Sequence, residues 1–453
     1  MVVDAGQRLD CLSISKFHWR VMGLIAGGLF FDGFDIYLAA AVLGTLVKSG
    51  FSDLALNGWF ISATFLGMMI GALVAGLLGD RYGRKFSYQS NLAIFGIASL
   101  VAACAPNMPF LIVARFFIGI GLGAEVVVGY ATFSEFVPPS VRGRYLGILA
   151  IPTQSALFVA SIVGLAVIPA FGWRIMFVIA GIGALGIWYL RKSMPESPRW
   201  LERQGRDREA DEVLRAIEAE AGATAYVPGP SLRPLTQSRH AASLTSRAAL
   251  TRLFVGSVAL IVLNAVIYGF ITWIPTFFVK EGFSVVKSIG FTTIMSFGGP
   301  VGAIIGLLIA DRIGRKRIIV GTALLAAAFG AVYPHVGNGL LITLVGFLLV
   351  TTIYVNVVVV FAMYVPELFP TDVRLRGTGI CNALGRVANI ISPLVVVPTY
   401  LVHGVGGVVT LMVGALGIQA LVVGALGIEP KGRSLEELEP DLPAFVAGAR
   451  AGA

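Results

Sequence analysis

Charge is scarce in this chain: 13% of its 453 residues are Asp, Glu, Lys or Arg, about half the share of an ordinary soluble domain. Hydrophobic residues make up 57% and mean hydropathy is +0.85, more apolar surface than a soluble domain could keep from water. That excludes an ordinary cytosolic enzyme, a disordered protein and a nucleic-acid binder. The net charge of +9 sits in short clusters between long apolar runs, the arrangement of a polytopic membrane protein whose inner loops face anionic lipid. Cysteine is also sparse. Cys11, Cys104 and Cys381 lie far apart, with no CxxC and no nearby His, which speaks against a metal site or a disulfide; Cys104 and Cys381 read as small buried fillers. No GxxxxGK[ST] phosphate loop occurs, which removes an ATP-driven pump, and no cofactor is implied. Residues 1–20 are polar and lack the apolar stretch and cleavage site of a signal peptide, so the first apolar run is expected to be a retained span.

What the chain does have is apolar runs long enough to cross the ~30 Å hydrocarbon core, which takes about 20 residues of helix. Twelve are found, near 21–43, 57–79, 86–104, 109–132, 145–168 and 173–191, then 251–279, 288–310, 317–334, 340–365, 377–400 and 406–427. The 55 glycines suit close helix contact in lipid, with Gly67/Gly71 and Gly302/Gly306 as small-xxx-small pairs. With the N-terminus inside, short inner loops hold Arg81, Arg84, Lys85, Arg142, Arg144, Arg312, Arg315, Lys316, Arg317, Arg374 and Arg376, and short outer loops only Lys48, Lys280 and Lys287. The bias predicts an integral plasma (inner) membrane protein with both termini cytoplasmic. Trp19, Trp59, Trp173 and Trp188 fall near span ends and read as interface anchors. The expected organisation is a six-helix bundle over 1–191, a cytoplasmic linker with an amphipathic helix over 192–248, a second bundle over 249–428 and a solvated tail over 429–453.

The two halves repeat each other. Gly79-Asp80-Arg81-Tyr82-Gly83-Arg84-Lys85 recurs as Ala310-Asp311-Arg312-Ile313-Gly314-Arg315-Lys316, with Asp80 and Asp311 231 positions apart. Glu135-Phe136-Val137-Pro138, followed by Val141-Arg142, recurs as Glu367-Leu368-Phe369-Pro370, followed by Val373-Arg374, 232 positions on. Two motifs at nearly one offset indicate a duplicated six-helix unit, the plan of a two-bundle transporter with its site between the halves near mid-membrane.

On these residues the chain resembles the major facilitator superfamily. The loop from Gly79 to Lys85 and its copy resemble that family's signature loop, Arg115 to Glu125 its fourth-span Arg/Gly motif, and Pro195-Glu196-Ser197-Pro198-Arg199-Trp200-Leu201 the stretch after span six in sugar porters and organic-ion relatives. One departure is that Gly306 precedes Asp311 by five positions where Gly76 precedes Asp80 by four. The seventh span lacks the Gln-Gln pair of sugar porters, whereas Asp32-Gly33-Phe34-Asp35 resembles the first-span motif of aromatic-acid:proton symporters, and the tracts 121–144 and 364–393 are similar to nicotinate-type and organic-ion carriers. The resemblance implies an all-α membrane protein of 12 transmembrane helices in two pseudo-symmetric bundles. It also implies a small carboxylate substrate, aromatic or heteroaromatic. The alternatives are a sugar or polyol symporter or facilitator, efflux of drugs or metabolites by proton exchange, and a transport-dead receptor or scaffold.

Ionisable groups within the hydrocarbon are functional candidates by default. At ~1.5 Å per residue, Asp32 lies ~16 Å and Asp35 ~21 Å above the inner end of span one, and Arg115, entering from outside, ~21 Å above the inner surface. Asp35 and Arg115 share a depth, and Asp32 shares a helix face with Asp35, so an Asp–Arg pair is expected, with Asp35 first and Asp32 second as proton carrier. Desolvation raises a carboxylate's pKa and a nearby Arg lowers it, which is how a helix shift moves a proton. The bland reading is a fixed ion pair. Arg386, ~14 Å up span eleven, offers a planar fork for a substrate carboxylate. Tyr268, Asn264, Gln154, Asn356 and Asn382 are further candidates for the pocket, each also suited to holding helices together. Glu125 reads as a partner of inner-loop arginines. Asp80, Arg84, Glu135 and Arg142, with Asp311, Arg315, Glu367 and Arg374, are expected to form an ion-pair latch at the inner face. The expected partners are protons, an organic acid and the lipid bilayer, with no nucleic acid and no metal, and the protein is expected to act as a monomer.

Overall fold

A computed structural model describes residues 4–221, 246–336, 339–369 and 374–430. Among the described residues the regular structure is helical throughout. The first six spans are Lys16–Lys48, Leu54–Tyr82, Arg84–Ala103, Met108–Phe136, Pro139–Phe171 and Arg174–Leu190. The next four are Arg247–Lys280, Val285–Ala310, Arg315–His335 and Gly339–Glu367. The last two run within one helix, Arg374–Leu426, broken at Gly404, whose φ of 62° favours glycine. Among the described residues eleven helices are long and apolar enough to cross a membrane, and they supply twelve spans because the eleventh and twelfth are not separated by a loop. The seventh breaks after Gly269 into a short 3-10 turn, Ile271–Trp273, and resumes as Ile274–Lys280 with Pro275 in its first turn.

Glycine sets the tightest helix contacts. Gly67 and Gly71 on span two face Phe116 and Ile120 on span four, while Gly119 and Gly123 face Thr64 and Met68 in return. A Cβ at any of these four positions would meet the partner's backbone, so the two helices touch main chain to main chain. The second half repeats this, with Gly298 and Gly302 against Phe347 and Thr351. Gly306, out of register with its first-half counterpart, still faces the Val355 carbonyl, at 3.2 Å from its would-be Cβ.

Two of the smaller expectations are corrected. Cys104 is exposed, ending its helix at the membrane margin. Trp173 is buried under Arg174, whose guanidinium stacks 4.4 Å from its ring centroid, and beside Phe51; the other end-of-span tryptophans Trp19 and Trp59 are half exposed.

The linker begins with two helices, Pro198–Arg203 and Asp207–Ala221. Ala210, Leu214 and Ile217 share one face of the second and are buried, together with Ala5 and Leu9 of the short N-terminal helix Ala5–Asp10, in a satellite core beneath the first bundle. Arg8 clamps the assembly, donating to both oxygens of Glu218 at 2.8 Å and to Asp211 at 2.6 Å. The Pro/Ser-rich tract after residue 221 and the acidic end of the tail lie outside the described residues.

Candidate functional site

Between Arg20 and Lys48 near its ends, span one carries two charged residues, Asp32 and Asp35, and both are buried. Arg115 of span four reaches Asp35: its Nη1 donates to Oδ2 at 2.5 Å and its Nη2 to the Asp35 carbonyl at 3.4 Å. Its Nε donates to the Thr64 hydroxyl at 3.1 Å, and the guanidinium stacks over the Phe60 ring at 4.6 Å. Buried ions in hydrocarbon need partners on all sides, and this arginine has a carboxylate, a hydroxyl, a carbonyl and an aromatic face.

Asp32 has no such company. Among the described residues neither of its carboxylate oxygens has a hydrogen-bond partner, although the residue is only 1% exposed. The charged groups around it are Glu125, Arg191, Asp35 and Arg386. Glu125 pairs with Arg191, the residue that follows span six, and both are buried. Arg191 also donates to the carbonyls of Leu24 at 3.0 Å and Ile25 at 3.1 Å. Glu125 therefore has a buried partner instead of an inner-loop arginine. Arg191 is absent from the sequence-based candidates because a cation next to Lys192 reads as the start of a loop.

The two bundles meet above these charges, on the face away from the basic loops. Gly44 packs on Pro275, Thr276 and Val279. Phe158 lies 5.0 Å from Phe297, and the Ser62 hydroxyl donates to the Ile390 carbonyl at 2.8 Å. At mid-depth three tyrosines converge. The Tyr354 hydroxyl donates to that of Tyr37 at 3.1 Å, the Tyr37 and Tyr268 rings stack at 6.1 Å, and Phe65 meets Tyr268 edge-on at 4.6 Å. Arg386, half-buried on span eleven, donates to the Met68 carbonyl of span two at 3.2 Å, so it crosses from one bundle to the other. Tyr37 and Tyr354 escape a sequence reading, because an aromatic inside an apolar run looks like core and their meeting depends on how the bundles dock.

The candidate amides divide. Asn264 accepts from Asn389 at 2.9 Å and donates to the Leu260 carbonyl, joining spans seven and eleven near Arg386. Asn356 is committed elsewhere: it donates to the Ile319 carbonyl and the Thr322 hydroxyl at 3.0 Å and accepts from Gln419, tying three helices within the second bundle. Asn382 donates to the Thr378 carbonyl of its own helix. The side chain of Gln154 lies outside the described residues.

On the basic face the repeat is reproduced in atomic detail. Gly83 and Gly314, with φ of 99° and 102°, turn the chain between spans two and three and between spans eight and nine. Arg84 donates to Glu135 at 3.1 Å and to the Gly79 carbonyl at 2.7 Å; Arg315 donates to Glu367 at 3.0 Å and to the Ala310 carbonyl at 3.3 Å. Each pair braces its own bundle. Glu196 accepts from the backbone N–H groups of Arg84 and Lys85 at 2.9 and 3.1 Å, and Glu429 accepts from those of Arg315 and Lys316 at the same distances. A carboxylate at a helix N-terminus satisfies orphan donors and meets the positive end of the dipole. Burial pushes the Glu196 carboxyl up, against the pull of these N–H groups and that of Ser197. Glu429, read from sequence as the start of a solvated tail, is the counterpart of Glu196. The side chains of Asp80, Arg142, Asp311 and Arg374 lie outside the described residues.

Residues 22–442 match the family described as sugar (and other) transporter. Over 399 residues the chain is 37% identical to the inner membrane metabolite transport protein YdjE of Escherichia coli, covering 86% of this chain and 88% of that one. It is 32% identical over 440 residues to the niacin transporter NiaP of Acinetobacter baylyi, covering 96% of this chain and 100% of the relative. A partially occluded, inward open structure of the xylose transporter XylE from Escherichia coli superposes with a TM-score of 0.71 over 93% of this chain and 100% of that one; at 17% identity the likeness concerns the fold.

Proposed function

Because the chain belongs to the sugar (and other) transporter family, within the major facilitator superfamily, we propose that this membrane transporter carries a small aromatic or heteroaromatic carboxylate together with protons, by alternating access. The two bundles, 1–191 and 249–428, rock about the central site, with 192–248 connecting them, and the basic loops and both termini are cytoplasmic. Contact between bundles on the opposite face corresponds to the inward-facing half of the cycle.

The observation that carries this reading is the juxtaposition at mid-depth. Arg386 of the second bundle crosses to span two, beside a cluster of aromatic rings from both bundles, and the buried acids Asp32 and Asp35 stand on span one of the first bundle. A guanidinium takes a carboxylate bidentately, and stacked tyrosines offer faces for a flat ring. The similarity to a niacin transporter supports the same substrate class. In the proposed cycle the carboxylate neutralises Arg386, protonation of Asp35 loosens Arg115, and the bundles become free to rock. Arg84, Glu135, Arg315 and Glu367, with Asp80, Arg142, Asp311 and Arg374, stiffen the loops on which that motion turns.

The test uses purified protein in liposomes with an inward proton gradient, labelled nicotinate, a hydroxybenzoate and a hexose, and a protonophore control. Gradient-dependent accumulation of an aromatic acid is the expected result. Hexose uptake, or equilibration indifferent to the gradient, would return Asp32, Asp35 and Arg386 to structural roles.

A further inference from the structure

The Glu125–Arg191 pair has no part in the cycle just described, yet it is buried in the half of the first bundle nearer the basic face. Its seat is Gly28. A Cβ at that position would collide with Arg191 Nη2 and Glu125 Oε1, so the pair rests on the bare backbone of span one. Asp32 is one helical turn further along the same face. Side chains on a helix lean toward its N-terminus and cover the preceding turn, which puts the Asp32 carboxylate over the pair. Hydrogen-bonding capacity is left unmet there. Among the described residues, Arg191 Nη1 is buried without an acceptor, both oxygens of Asp32 are buried without a donor, and the carboxylate of Glu125 has its ion-pair contact with Arg191 and no further donor.

Charge counting then decides the protonation. Two carboxylates and one guanidinium leave one negative charge uncompensated in a dry interior, which costs several kcal/mol. Of the other charged groups around Asp32, Asp35 holds Arg115, and Arg386 of the opposite bundle bonds the Met68 carbonyl and keeps its charge for the substrate carboxylate. Besides Glu125 and the Leu24 and Ile25 carbonyls, Arg191 meets the ring face of Tyr88 at 5.7 Å.

We propose that Asp32, Glu125 and Arg191 form a second proton-holding site, separate from Asp35–Arg115, in which the two carboxylates share one proton and Arg191 pairs with whichever is ionised. Transfer breaks the O–H bond of Asp32, forms one on Glu125 and moves the Arg191 contact from Glu125 to Asp32, with no change in total charge. The transfer carries a proton one helical turn from mid-depth toward the basic face. The inference deepens the proton-coupled reading, but its test needs no substrate.

The test is infrared spectroscopy of the carboxylic-acid C=O band, followed through a pH titration of the protein in lipid. In either Asp32→Asn or Glu125→Gln the remaining carboxylate forms a neutral pair with Arg191 and needs no proton. The expected result is a titrating buried acid in the wild type that persists in Asp35→Asn, loss of that same band in both Asp32→Asn and Glu125→Gln, and one further acid in Arg191→Gln. Glu125→Asp and Arg191→Lys, which keep the charges, should retain the wild-type band and serve if the neutral variants fold poorly. The proposal would be overturned if no band both persists in Asp35→Asn and is lost in each of Asp32→Asn and Glu125→Gln, or if the band that does so follows sodium instead of pH. Uptake without proton movement, alongside the expected bands, would defeat the transport reading and leave this site standing.

Discussion

Arg115 and Asp35, 80 positions apart in the chain, form an ion pair at 2.5 Å in which both side chains are at most 1% exposed. Removing one member leaves the other charged and buried, so Arg115→Leu is expected to destabilise the protein by about 3–5 kcal/mol, visible as a lowered midpoint of thermal unfolding in detergent. Asp35→Asn is expected to abolish gradient-driven uptake while leaving substrate exchange under equal pH measurable. Intact gradient-driven uptake in Asp35→Asn would reduce the pair to a structural brace.

Arg386 presents a fork and lysine a point charge. Arg386→Lys is therefore expected to raise KM for the aromatic acid about tenfold, the equivalent of ~1.4 kcal/mol, with a smaller effect on kcat. Unchanged KM would take Arg386 out of the substrate site.

The glycine seam makes a mechanical prediction. Gly123→Leu would drive a side chain into the Met68 backbone, and overpacking of this kind costs about 1–3 kcal/mol or more. Gly321→Ala, on span nine with open space around it, is expected to be neutral or to stabilise by about 0.5–1 kcal/mol. Thermal unfolding of both variants separates a packing role for glycine from a general need for flexibility.

Much of this was legible in the sequence, because helical rise and hydropathy act locally. Twelve runs, a repeat at one offset and a shared depth for Asp35 and Arg115 follow from counting residues. What escaped depends on neighbours distant in sequence. Arg191 sits where span meets loop, and Glu125, the Leu24 and Ile25 carbonyls and the bare backbone at Gly28 hold it inward. Tyr37 and Tyr354 meet because two bundles dock. Asn356 looks like a pocket amide until Thr322 and Gln419 close around it. The break between the last two spans is a single glycine conformation at Gly404. Glu429 was the exception: it stands 233 positions after Glu196, close to the offset of the other repeats, and could have been found.

Arg8 ties the N-terminal helix to the linker through three hydrogen bonds to two acids. Arg8→Ala is expected to speed amide hydrogen exchange in Ala5–Asp10 and Asp207–Ala221 about tenfold, the loss of ~1.4 kcal/mol of local protection, without abolishing uptake. Unchanged exchange would mean that the apolar face of Leu9, Leu214 and Ile217, with the Arg199–Asp10 pair and the Ala5–Glu202 hydrogen bond, holds the helix without Arg8.

Whether acid and proton travel together is decided by recording both at once. Nicotinate is added outside liposomes that contain the protein and a pH-sensitive dye, with equal pH on both sides and protein-free liposomes to subtract passive entry of the neutral acid. Labelled nicotinate entry and lumenal acidification are expected to rise together above the protein-free control, and acidification to fail in Asp35→Asn. Protein-dependent nicotinate entry with no acidification would contradict their coupling.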